Sequence, residues 1–453
     1  MEDKIYIETL GCAKNRVDSE IMLGLLLDHQ FKIVPQPEDS AVMIINTCGF
    51  IKDAVDESIE RILALAALKQ EDPHKKLIVV GCMGERYGAD LLEELPEIDG
   101  LIGTADYSRI LPCVRSLLDG SERKQFVGLG SAPPQTNNDL QNSQTKTRVL
   151  TSSPWFAYLK IAEGCSNVCS FCNIPKIRGP YLSRAIEEIQ SELKLLLEKG
   201  VKEINIISQD SSAYGMDLYG KYQLYELIQK LLSTSDNDFW LRIFYSYPNC
   251  YPLELLELMK SDSRLVPYID MPFQHISDSV LKVMSRNITQ KEIFNTIDKT
   301  LSIVPNITLR STFIVGFPNE REKDFEELLK FVKQGIFNHI GVFTYSDEDN
   351  ITSSRFGDPV PAEVKEERKN ILLEAQQSIS HQKNRASIGE IQKVLIEGYS
   401  DETDLLLQGR NAGQGPEVDG VVLINEGDAK AGEFRNIEIL EAHPYDLLGK
   451  VLP

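Results

Sequence analysis

Three cysteines lie close together near the middle of the 453-residue chain, in the segment IAEGCSNVCSFCNIP. Cys165, Cys169 and Cys172 follow a predicted strand and share a polar loop that contains glycine. Structural zinc sites take four ligands, and no histidine or fourth cysteine is near in sequence, so zinc fits this loop poorly. Three thiolates suit a cubane iron–sulfur cluster whose fourth iron stays free for a substrate or cofactor. The spacing therefore predicts an open iron–sulfur cluster.

A second set of three cysteines is spread over the N-terminal part of the chain. Cys12, Cys48 and Cys82 each follow a predicted strand, in the words YIETLGC, MIINTC and LIVVGC. The carboxyl ends of parallel strands share one edge of a sheet, where ligand sites gather. A single buried cysteine is often only a small core residue. Because all three occupy equivalent strand ends, the pattern favours a second open cluster.

The remaining cysteines and histidines form no such group. Cys113 lies in a predicted helix and Cys250 in a loop, and we expect both to pack without chemical function. His275 follows a predicted strand and could line a pocket or simply pack. No P-loop or GxGxxG word is present.

The elements that must position these residues repeat along the chain. Strands at 4–10, 41–46 and 77–80 alternate with helices, which predicts a parallel sheet, with Asp18 or Ser19 as the N-cap of the first helix. Six further strand–helix units predict an open or partial barrel. Their strands are expected at 157–161, 204–207, 241–244, 267–271, 307–315 and 340–343.

The last part of the chain has short predicted strands separated by glycine-rich turns, a pattern that is typical of a small all-β barrel. We therefore predict an α/β protein with an N-terminal parallel-sheet domain, a partial (β/α)6 barrel and a terminal β-barrel. The expected boundaries are 1–125 for the first domain, 126–150 for a linker, 151–383 for the partial barrel and 384–453 for the terminal barrel.

Composition limits the compartment and the partners. The start of the chain lacks a basic and an apolar signal region, and no apolar run approaches membrane-helix length, so we expect a cytoplasmic protein that does not contact a membrane. Its net charge is −20, from 48 basic and 68 acidic residues. Such a surface disfavours wrapping nucleic acid and favours a basic protein partner.

The central cysteine loop resembles a known superfamily. CxxxCxΦC with Phe171 as the aromatic residue is the mark of radical S-adenosylmethionine (SAM) enzymes, in which it follows the first strand of a partial barrel. The resemblance implies that the open iron chelates SAM, which is then cleaved to methionine and a 5′-deoxyadenosyl radical. It also implies that Phe171 packs near the adenine, and that Gly316, in the word TFIVGFPNE, supports SAM.

Nearly the whole chain resembles the methylthiotransferases, which join a three-cysteine domain, a radical SAM domain and a C-terminal TRAM domain. The resemblance implies SAM and two 4Fe–4S clusters, held by Cys12, Cys48 and Cys82 and by Cys165, Cys169 and Cys172. Five words favour the branch that modifies a ribosomal protein over the tRNA branch. They are TLGCAKNRVDSE, INTCGFI, YLKIAEGC, SQDSSAYG and MPFQHISDSVLKVMSR.

That branch adds a methylthio group to the β-carbon of an aspartate in the twelfth small-subunit ribosomal protein. The implied partners are that protein, an electron donor and a sulfur source, with nucleic acid contact secondary at most. Lys14, Asn15 and Arg310 are candidates to hold the substrate carboxylate. Two alternatives stay open: a tRNA adenosine methylthiotransferase of the MiaB type, and a non-catalytic iron–sulfur electron carrier or sensor.

The charge of the terminal barrel bears on this choice. Residues 385–453 contain 13 acidic and six basic residues, a net charge of −7. Binding of RNA relies on lysine and arginine contacts to phosphates, which this segment largely lacks. Ribosomal proteins are typically basic, so charge complementarity favours a protein substrate.

Overall fold

The computed structural model describes residues 3–104, 107–120, 125–127, 148–349 and 351–452. The chain divides into two units. The first unit comprises Met1–Thr151, Ala162–Asn167 and Cys172–Glu192, and the second comprises Ser152–Ile161, Val168–Phe171 and Leu193–Pro453. Most of the expected linker at 126–150 lies outside the described residues. The domain boundaries given above stay a prediction.

The first unit contains a six-stranded sheet in the order β2-β1-β3-β4-β5-β6, with every neighbouring pair parallel. Its strands are β1 (Lys4–Thr9), β2 (Lys32–Ile33), β3 (Val42–Thr47), β4 (Lys76–Gly81), β5 (Gly100–Ile102) and β6 (Gln125–Val127). Its main helices are α1 (Ala13–Asp28), α2 (Lys52–Glu71), α3 (Cys82–Glu94) and α4 (Ile110–Leu118).

The central strands explain why this sheet forms. Every residue of β3 is buried, and so is β4 apart from its first residue. Mostly apolar runs of this kind are typical of parallel strands that are covered on both faces. Met43, Ile45 and Val79 pack in one core cluster with Ile62 of α2 and Leu91 of α3. The predicted parallel sheet is confirmed. The three strands not predicted, β2, β5 and β6, have only two or three residues each.

The expected cap of α1 is wrong. The helix begins at Ala13, so Asp18 and Ser19 lie inside it, and both are buried. Asp18 forms an ion pair with Arg178 at 3.2 Å. The Ser19 hydroxyl accepts hydrogen bonds from Thr9 and Asn46. These side chains belong to tertiary contacts, which a local capping rule does not include.

A buried ion network ties the end of the expected linker to the first unit. The Arg148 guanidinium donates to the Glu20 carboxylate at 2.6 and 2.8 Å and to Glu192 at 2.6 Å. All three side chains are at most 2% exposed. The backbone N–H of Thr151 donates a further hydrogen bond to the Glu20 carboxylate at 2.9 Å. Glu192 also pairs with Arg184 at 2.7 Å. Among the ion pairs of the described residues, Glu20 is therefore the carboxylate that depends on Arg148 for its compensation.

Replacing Arg148 with methionine is expected to lower the free energy of unfolding by about 3–5 kcal/mol, because the variant leaves the buried Glu20 carboxylate without its cation and Glu192 with Arg184 alone. Urea unfolding of the metal-free protein, followed by circular dichroism, measures the change. Lys32→Met is the control, since Lys32 pairs with Asp3 at the surface, and it should unfold like the wild type. Equal stability of both variants would contradict the importance of the network.

The second unit contains two three-stranded parallel sheets, ordered β11-β10-β7 and β12-β13-β14. Backbone hydrogen bonds from Leu241 to Arg264 and from Val266 to Leu241 join their facing edges. Six strands alternate with helices, which confirms the predicted partial barrel. The strands are β7 (Phe156–Lys160), β10 (Glu203–Ile207), β11 (Trp240–Ile243), β12 (Tyr268–Asp270), β13 (Thr308–Val315) and β14 (His339–Thr344). A short pair in the first unit, β8 (Ala162–Glu163) and β9 (Leu182–Ser183), is antiparallel.

The remaining helices are mostly those that separate the barrel strands. They are α5 (Ile174–Ile177), α6 (Ile186–Glu198), α7 (Met216–Tyr219), α8 (Leu224–Leu232), α9 (Glu254–Ser261), α10 (Asp278–Val283), α11 (Gln290–Ile303), α12 (Glu322–Val332) and α13 (Ala362–Ala386). In the described part of the chain, none of the helices is long and apolar enough to span a membrane.

A closed five-stranded barrel ends the chain, in the order β15-β16-β17-β19-β18. Its strands are β15 (Ile391–Ser400), β16 (Thr403–Asn411), β17 (Val422–Glu426), β18 (Phe434–Ala442) and β19 (Leu447–Val451). Alternate residues of β15, β17 and β18 fill its core, including Val394, Ile424 and Ile437. The predicted all-β barrel is confirmed, and β19 adds a strand that was not predicted.

Buried charges join this terminal barrel to the partial barrel. Glu203 of β10 pairs with Arg242 of β11 at 2.9 Å and with Arg410 of β16 at 2.6 Å, and all three side chains are at most 2% exposed. Arg242 also donates to the carbonyl of Ala412 at 2.8 Å. Beside them, the Tyr268 hydroxyl donates to Asp419 at 2.7 Å. These contacts fix the terminal barrel on the partial barrel within the second unit.

Candidate functional site

The three N-terminal cysteines follow adjacent strands of the first sheet. Cys12 is the N-cap residue of α1, Cys48 comes directly after β3, and Cys82 is the first residue of α3. The register pairs Thr47 with Gly81, so Cys48 and Cys82 leave the sheet at the same level. The strand-end positions predicted for the three residues are therefore neighbours in the structure.

Close contacts place these thiols together. A Cβ built on Gly11, which has a φ of +87°, would lie 2.9 Å from Cys48 Cβ and 3.4 Å from its Sγ. Only glycine therefore allows this turn to pass so near Cys48. The thiols of Cys12, Cys48 and Cys82 also interact electrostatically with one another. Burial raises the pKa of Cys82 to about 12, so binding of a metal to this thiol releases a proton.

Arg178 is a residue of this site that the sequence reasoning did not find. Its buried guanidinium donates to Asn15 at 2.6 Å and to Glu163 at 2.8 Å, and its charge opposes the upward shift in the pKa of Cys82. A fixed cation near thiolates compensates part of the negative charge that they carry when bound to metal. The signal in the sequence was weak: an arginine in the word KIRGP, close after Cys172.

The central cysteine loop contributes to both units. In the first unit, the backbone N–H of Asn167 points to Cys165 Sγ at 3.4 Å, and Cys165 N–H donates to the carbonyl of Gly179 at 3.1 Å. A Cβ on Gly164, whose φ is +68°, would lie 2.1 Å from the carbonyl oxygen of Pro180. Glycine is thus required immediately before the first cysteine of the loop.

In the second unit, residues 168–171 are held by the turn after α10. The Ser170 backbone N–H donates to Met284 O at 2.9 Å, and its hydroxyl donates to Val283 O at 2.8 Å. Phe171 packs edge-to-face on Phe317, with ring centroids 6.4 Å apart. The role of Phe171 near an adenine stays a prediction. The contacts do show that the segment carrying Cys169 is firmly anchored.

Gly316 lies directly after β13, in the left-handed region with a φ of +70°. A Cβ there would come within 2.3 Å of Lys365 Cγ. Lys365 runs over this turn to donate to the carbonyl of Tyr345 at 2.9 Å. The close approach explains the glycine structurally, and its support of SAM stays a prediction.

His275 is fully buried in the second unit rather than exposed on a pocket wall. Its Nδ1 accepts the backbone N–H of Ser277 at 2.9 Å, which requires that nitrogen to be unprotonated. Burial lowers the pKa of His275 to about 3, with Arg368 lowering it further and Asp324 opposing the shift. The imidazole is therefore neutral in the folded protein at neutral pH.

This histidine makes stability depend on pH. Its folded pKa lies below the unfolded value of about 6.5, so the unfolded chain binds the proton and stability falls as pH drops below about 6.5. The loss from this group is expected to be about 1.4 kcal/mol per pH unit, down to its folded pKa. Urea unfolding at pH 7.5 and 5.5 measures it. His275→Gln should show a smaller pH dependence, and an equal dependence would contradict this origin.

The three candidates to hold the substrate carboxylate, and the two remaining cysteines, are placed within the packed structure. Asn15 donates to the carbonyls of Leu10 and Thr47. Lys14 is buried, and Arg310 pairs with Asp270 at 3.0 Å. Cys113 is buried in α4, and Cys250, partly buried, follows β11 in the chain.

The donor sets can be compared with the two implied clusters. Among the described residues, no three His, Cys, Asp or Glu side chains are arranged to hold a single metal ion. A single Zn²⁺ ion would need its thiolates about 2.3 Å away, whereas each thiolate of a cubane binds a different iron. The backbone N–H directed at the Cys165 sulfur suits a thiolate ligand of a cluster, whose sulfurs accept such hydrogen bonds.

Comparison with protein families divides the chain into three consecutive matches. Residues 4–103 match Uncharacterized protein family UPF0004, residues 159–332 match the Radical SAM superfamily and residues 388–452 match the TRAM domain. The superfamily match indicates a domain that uses a 4Fe–4S cluster and SAM.

Similar proteins match over almost the full length. A protein of Syntrophotalea carbinolica is 42% identical over 449 residues, which cover 99% of this chain and 97% of the relative. One of Geobacter sulfurreducens is 40% identical, covering 100% of this chain and 99% of the relative. Both are named ribosomal protein uS12 methylthiotransferase RimO. The chain belongs to the RimO family. The methylthiotransferase resemblance, including its ribosomal-protein branch, is thereby confirmed.

Solved structures support the fold independently of this family. The radical SAM methyltransferase TsrM from Kitasatospora setae aligns with a TM-score of 0.54 at 11% identity, covering 76% of this chain and 75% of that chain. The radical SAM enzyme OxsB aligns with a TM-score of 0.53 at 12% identity, covering 82% of this chain and 56% of that chain. At such identities the likeness concerns the fold alone.

Proposed function

We propose that this chain methylthiolates an aspartate of ribosomal protein uS12 at its β-carbon, as a radical SAM methylthiotransferase. The observation that carries the proposal is the 42% identity to a uS12 methylthiotransferase over 99% of the chain. The order of the three family matches supports it. An electron donor and a sulfur source are the further partners of this reaction, and the cytoplasm is its expected location.

Two 4Fe–4S clusters are part of the proposal. Cys165, Cys169 and Cys172 would hold the cluster that binds SAM. Cys12, Cys48 and Cys82 would hold the second cluster, in the first unit. When bound, these groups and SAM supply a radical for abstraction of an unactivated hydrogen, together with the sulfur and the methyl group.

The protein's own residues supply position and compensation of charge. Gly11 and Gly164 shape the turns that present cysteines, and the backbone N–H of Asn167 donates toward a thiolate. Arg178 provides a buried positive charge near Cys82. Because the substrate C–H bond is too weakly acidic for a side-chain base, no residue is assigned as a general base.

The terminal barrel offers a docking surface for a basic partner. The turn between β15 and β16 carries the exposed acidic residues Asp401 and Glu402, and the start of β16 carries the exposed Asp404. Tyr399 and Leu405 flank them at 65% and 88% exposure. We call residues 399–405 the acidic hairpin.

The cations of the same barrel are largely occupied. Arg410 pairs with Glu203, Lys393 with Asp238, Arg435 with Glu433 and Lys450 with Glu438. The acidic partners of these cations reduce the positive charge that the barrel presents to phosphates. This arrangement supports uS12 over tRNA as the substrate.

Reversing the charge of the hairpin with Asp401→Lys, Glu402→Lys and Asp404→Lys is expected to weaken binding to isolated uS12 at least about tenfold at low salt, with a smaller salt dependence. Calorimetric titration across salt concentrations measures both. Glu254→Lys, Asp298→Lys and Glu326→Lys make the matched control, because they change the charge equally on exposed helix positions. Similar losses from both triple variants would contradict a docking role for the hairpin.

Mass spectrometry of ribosomal proteins and tRNA from cells with and without the gene tests the function itself. The proposal expects the mass of one methylthio substitution on a uS12 aspartate, lost on deletion and restored by the gene. Loss of methylthioadenosine from tRNA, with uS12 unchanged, would instead place the chain in the MiaB branch. Loss of neither modification would leave the electron carrier or sensor as the better reading.

A further inference from the structure

Arg286 has no role in the function proposed above, although it touches one of the assigned cysteines. It follows α10 at the end of the word MPFQHISDSVLKVMSR and is only 8% exposed. Its Nη1 donates to Cys169 Sγ at 3.6 Å, and its Nη2 donates to the carbonyl of Pro272 at 2.6 Å. The two arms of one guanidinium thus bind a sulfur and a backbone oxygen.

In the described part of the chain, the positive charge of Arg286 is not compensated by a paired carboxylate. No Asp or Glu of the described residues forms an ion pair with it, and its Nε is buried without a hydrogen-bond partner. The guanidinium instead lies over the ring of Tyr247, at 4.0 Å from the centroid. A buried cation requires an anionic or π partner. When Cys169 binds the proposed cluster, its sulfur supplies the negative charge within reach of this cation.

The backbone keeps Arg286 and Cys169 together. Ser170, the residue after Cys169, donates two hydrogen bonds to the end of α10, from its hydroxyl to the carbonyl of Val283 and from its backbone N–H to the carbonyl of Met284. Ser285 in the turn after α10 has a φ of 55°, and Arg286 N–H donates to Leu281 O at 2.9 Å. The geometry therefore delivers the guanidinium to this sulfur as a fixed feature of the fold.

We propose that Arg286 is a positioning residue that stabilises the Cys169 thiolate and favours the reduced state of the cluster bound through it. The proposal rests on the assignment of Cys169 as a ligand. A low-potential one-electron donor adds one electron to the cluster, with no bond broken and no proton moved. Arg286 stabilises the added negative charge through its cation and its N–H···S contact, since hydrogen bonds to sulfur set cluster potentials.

The test uses the full chain carrying Cys12→Ala, Cys48→Ala and Cys82→Ala, so that one cluster remains. Anaerobic electrochemical titration without SAM, followed by electron paramagnetic resonance, gives the ratio of reduced to oxidised cluster. In Arg286→Gln this ratio at a fixed potential is expected to fall about tenfold, equivalent to 59 mV for one electron. In Arg286→Lys, which keeps the positive charge but loses the paired N–H donors of the guanidinium, the ratio should fall about threefold.

Arg264→Gln is the matched control, because it removes a positive charge that lies before β12 and pairs with Asp262. Its ratio should equal that of the parent. The proposal is overturned if Arg286→Gln has the same ratio of reduced to oxidised cluster as the parent protein. If Arg286→Gln assembles no cluster, an unchanged ratio in Arg286→Lys overturns the proposal instead.

Iron content of Cys169→Ala in the same background separates this proposal from the proposed function. Loss of the iron supports Cys169 as a ligand, and the ratios then decide the role of Arg286 alone. Retention of the iron contradicts the assigned ligand set, and the Arg286 proposal falls with it.

Discussion

Replacing Cys165 and Cys169 together with alanine is expected to abolish SAM cleavage while about half of the iron remains. The loss follows because a cubane cannot be held by Cys172 alone, and the retained iron belongs to the cluster assigned to the first unit. Anaerobic reconstitution with iron and sulfide counts, and chromatography of 5′-deoxyadenosine, measure the two quantities. We expect complete loss of SAM cleavage because the proposal assigns this reaction to the cluster on Cys165, Cys169 and Cys172 alone.

Cys250→Ala is the control for this variant, since Cys250 follows β11 in the same unit as Cys169 and has no assigned ligand role. It should keep the full iron content and cleave SAM at the wild-type rate. Cleavage that persists in the double variant would refute the assignment of the radical cluster to this loop. Loss of all iron would instead refute the existence of two separate clusters.

A Cys48→Ala variant is expected to cleave SAM but to form no methylthiolated uS12. Cys48 belongs to the other set of thiols, where its Cβ lies against the turn at Gly11. Without this ligand the second cluster loses the means to present sulfur, and 5′-deoxyadenosine accumulates without product. Mass spectrometry of uS12 and quantification of 5′-deoxyadenosine from one reaction give the ratio of product to cleavage.

Cys113→Ala serves as the matched control, because Cys113 is a buried thiol of the same unit that lies in α4. This variant should form product in the wild-type ratio to 5′-deoxyadenosine. Wild-type product formation by Cys48→Ala would show that the N-terminal thiols do not deliver sulfur. Failure of both variants to form product would point to general loss of packing in the first unit.

The sequence allowed prediction of the elements that carry the cysteines because each local pattern agreed with the final fold. The buried runs of β3 and β4, the strand-ending positions of Cys12, Cys48 and Cys82, and the six strands of the partial barrel all follow from periodicity and length. The five sequence motifs shared with the methylthiotransferases then favoured the ribosomal-protein branch over the tRNA branch. The ligand roles of the six cysteines remain predictions, to be decided by the variants above.

The remaining features depend on contacts between distant segments. Arg178 and Arg286 look like ordinary surface cations in the sequence, since nothing local predicts that Asn15 or Cys169 will face them. Asp18 was expected as a helix cap because a local rule favours it there, but Arg178, 160 residues away in sequence, binds it. Short strands such as β5 give too few residues for a periodic signal.

The buried charges beneath the terminal barrel limit how this barrel can be exchanged between relatives. Glu203 depends on Arg410 of the barrel and on Arg242 of the partial barrel for its compensation. A chimaera that receives only the terminal barrel of a tRNA-modifying relative would bury Glu203 against whatever residue replaces Arg410. The terminal barrel and the strands that carry Glu203 and Arg242 must therefore be transplanted as a matched pair.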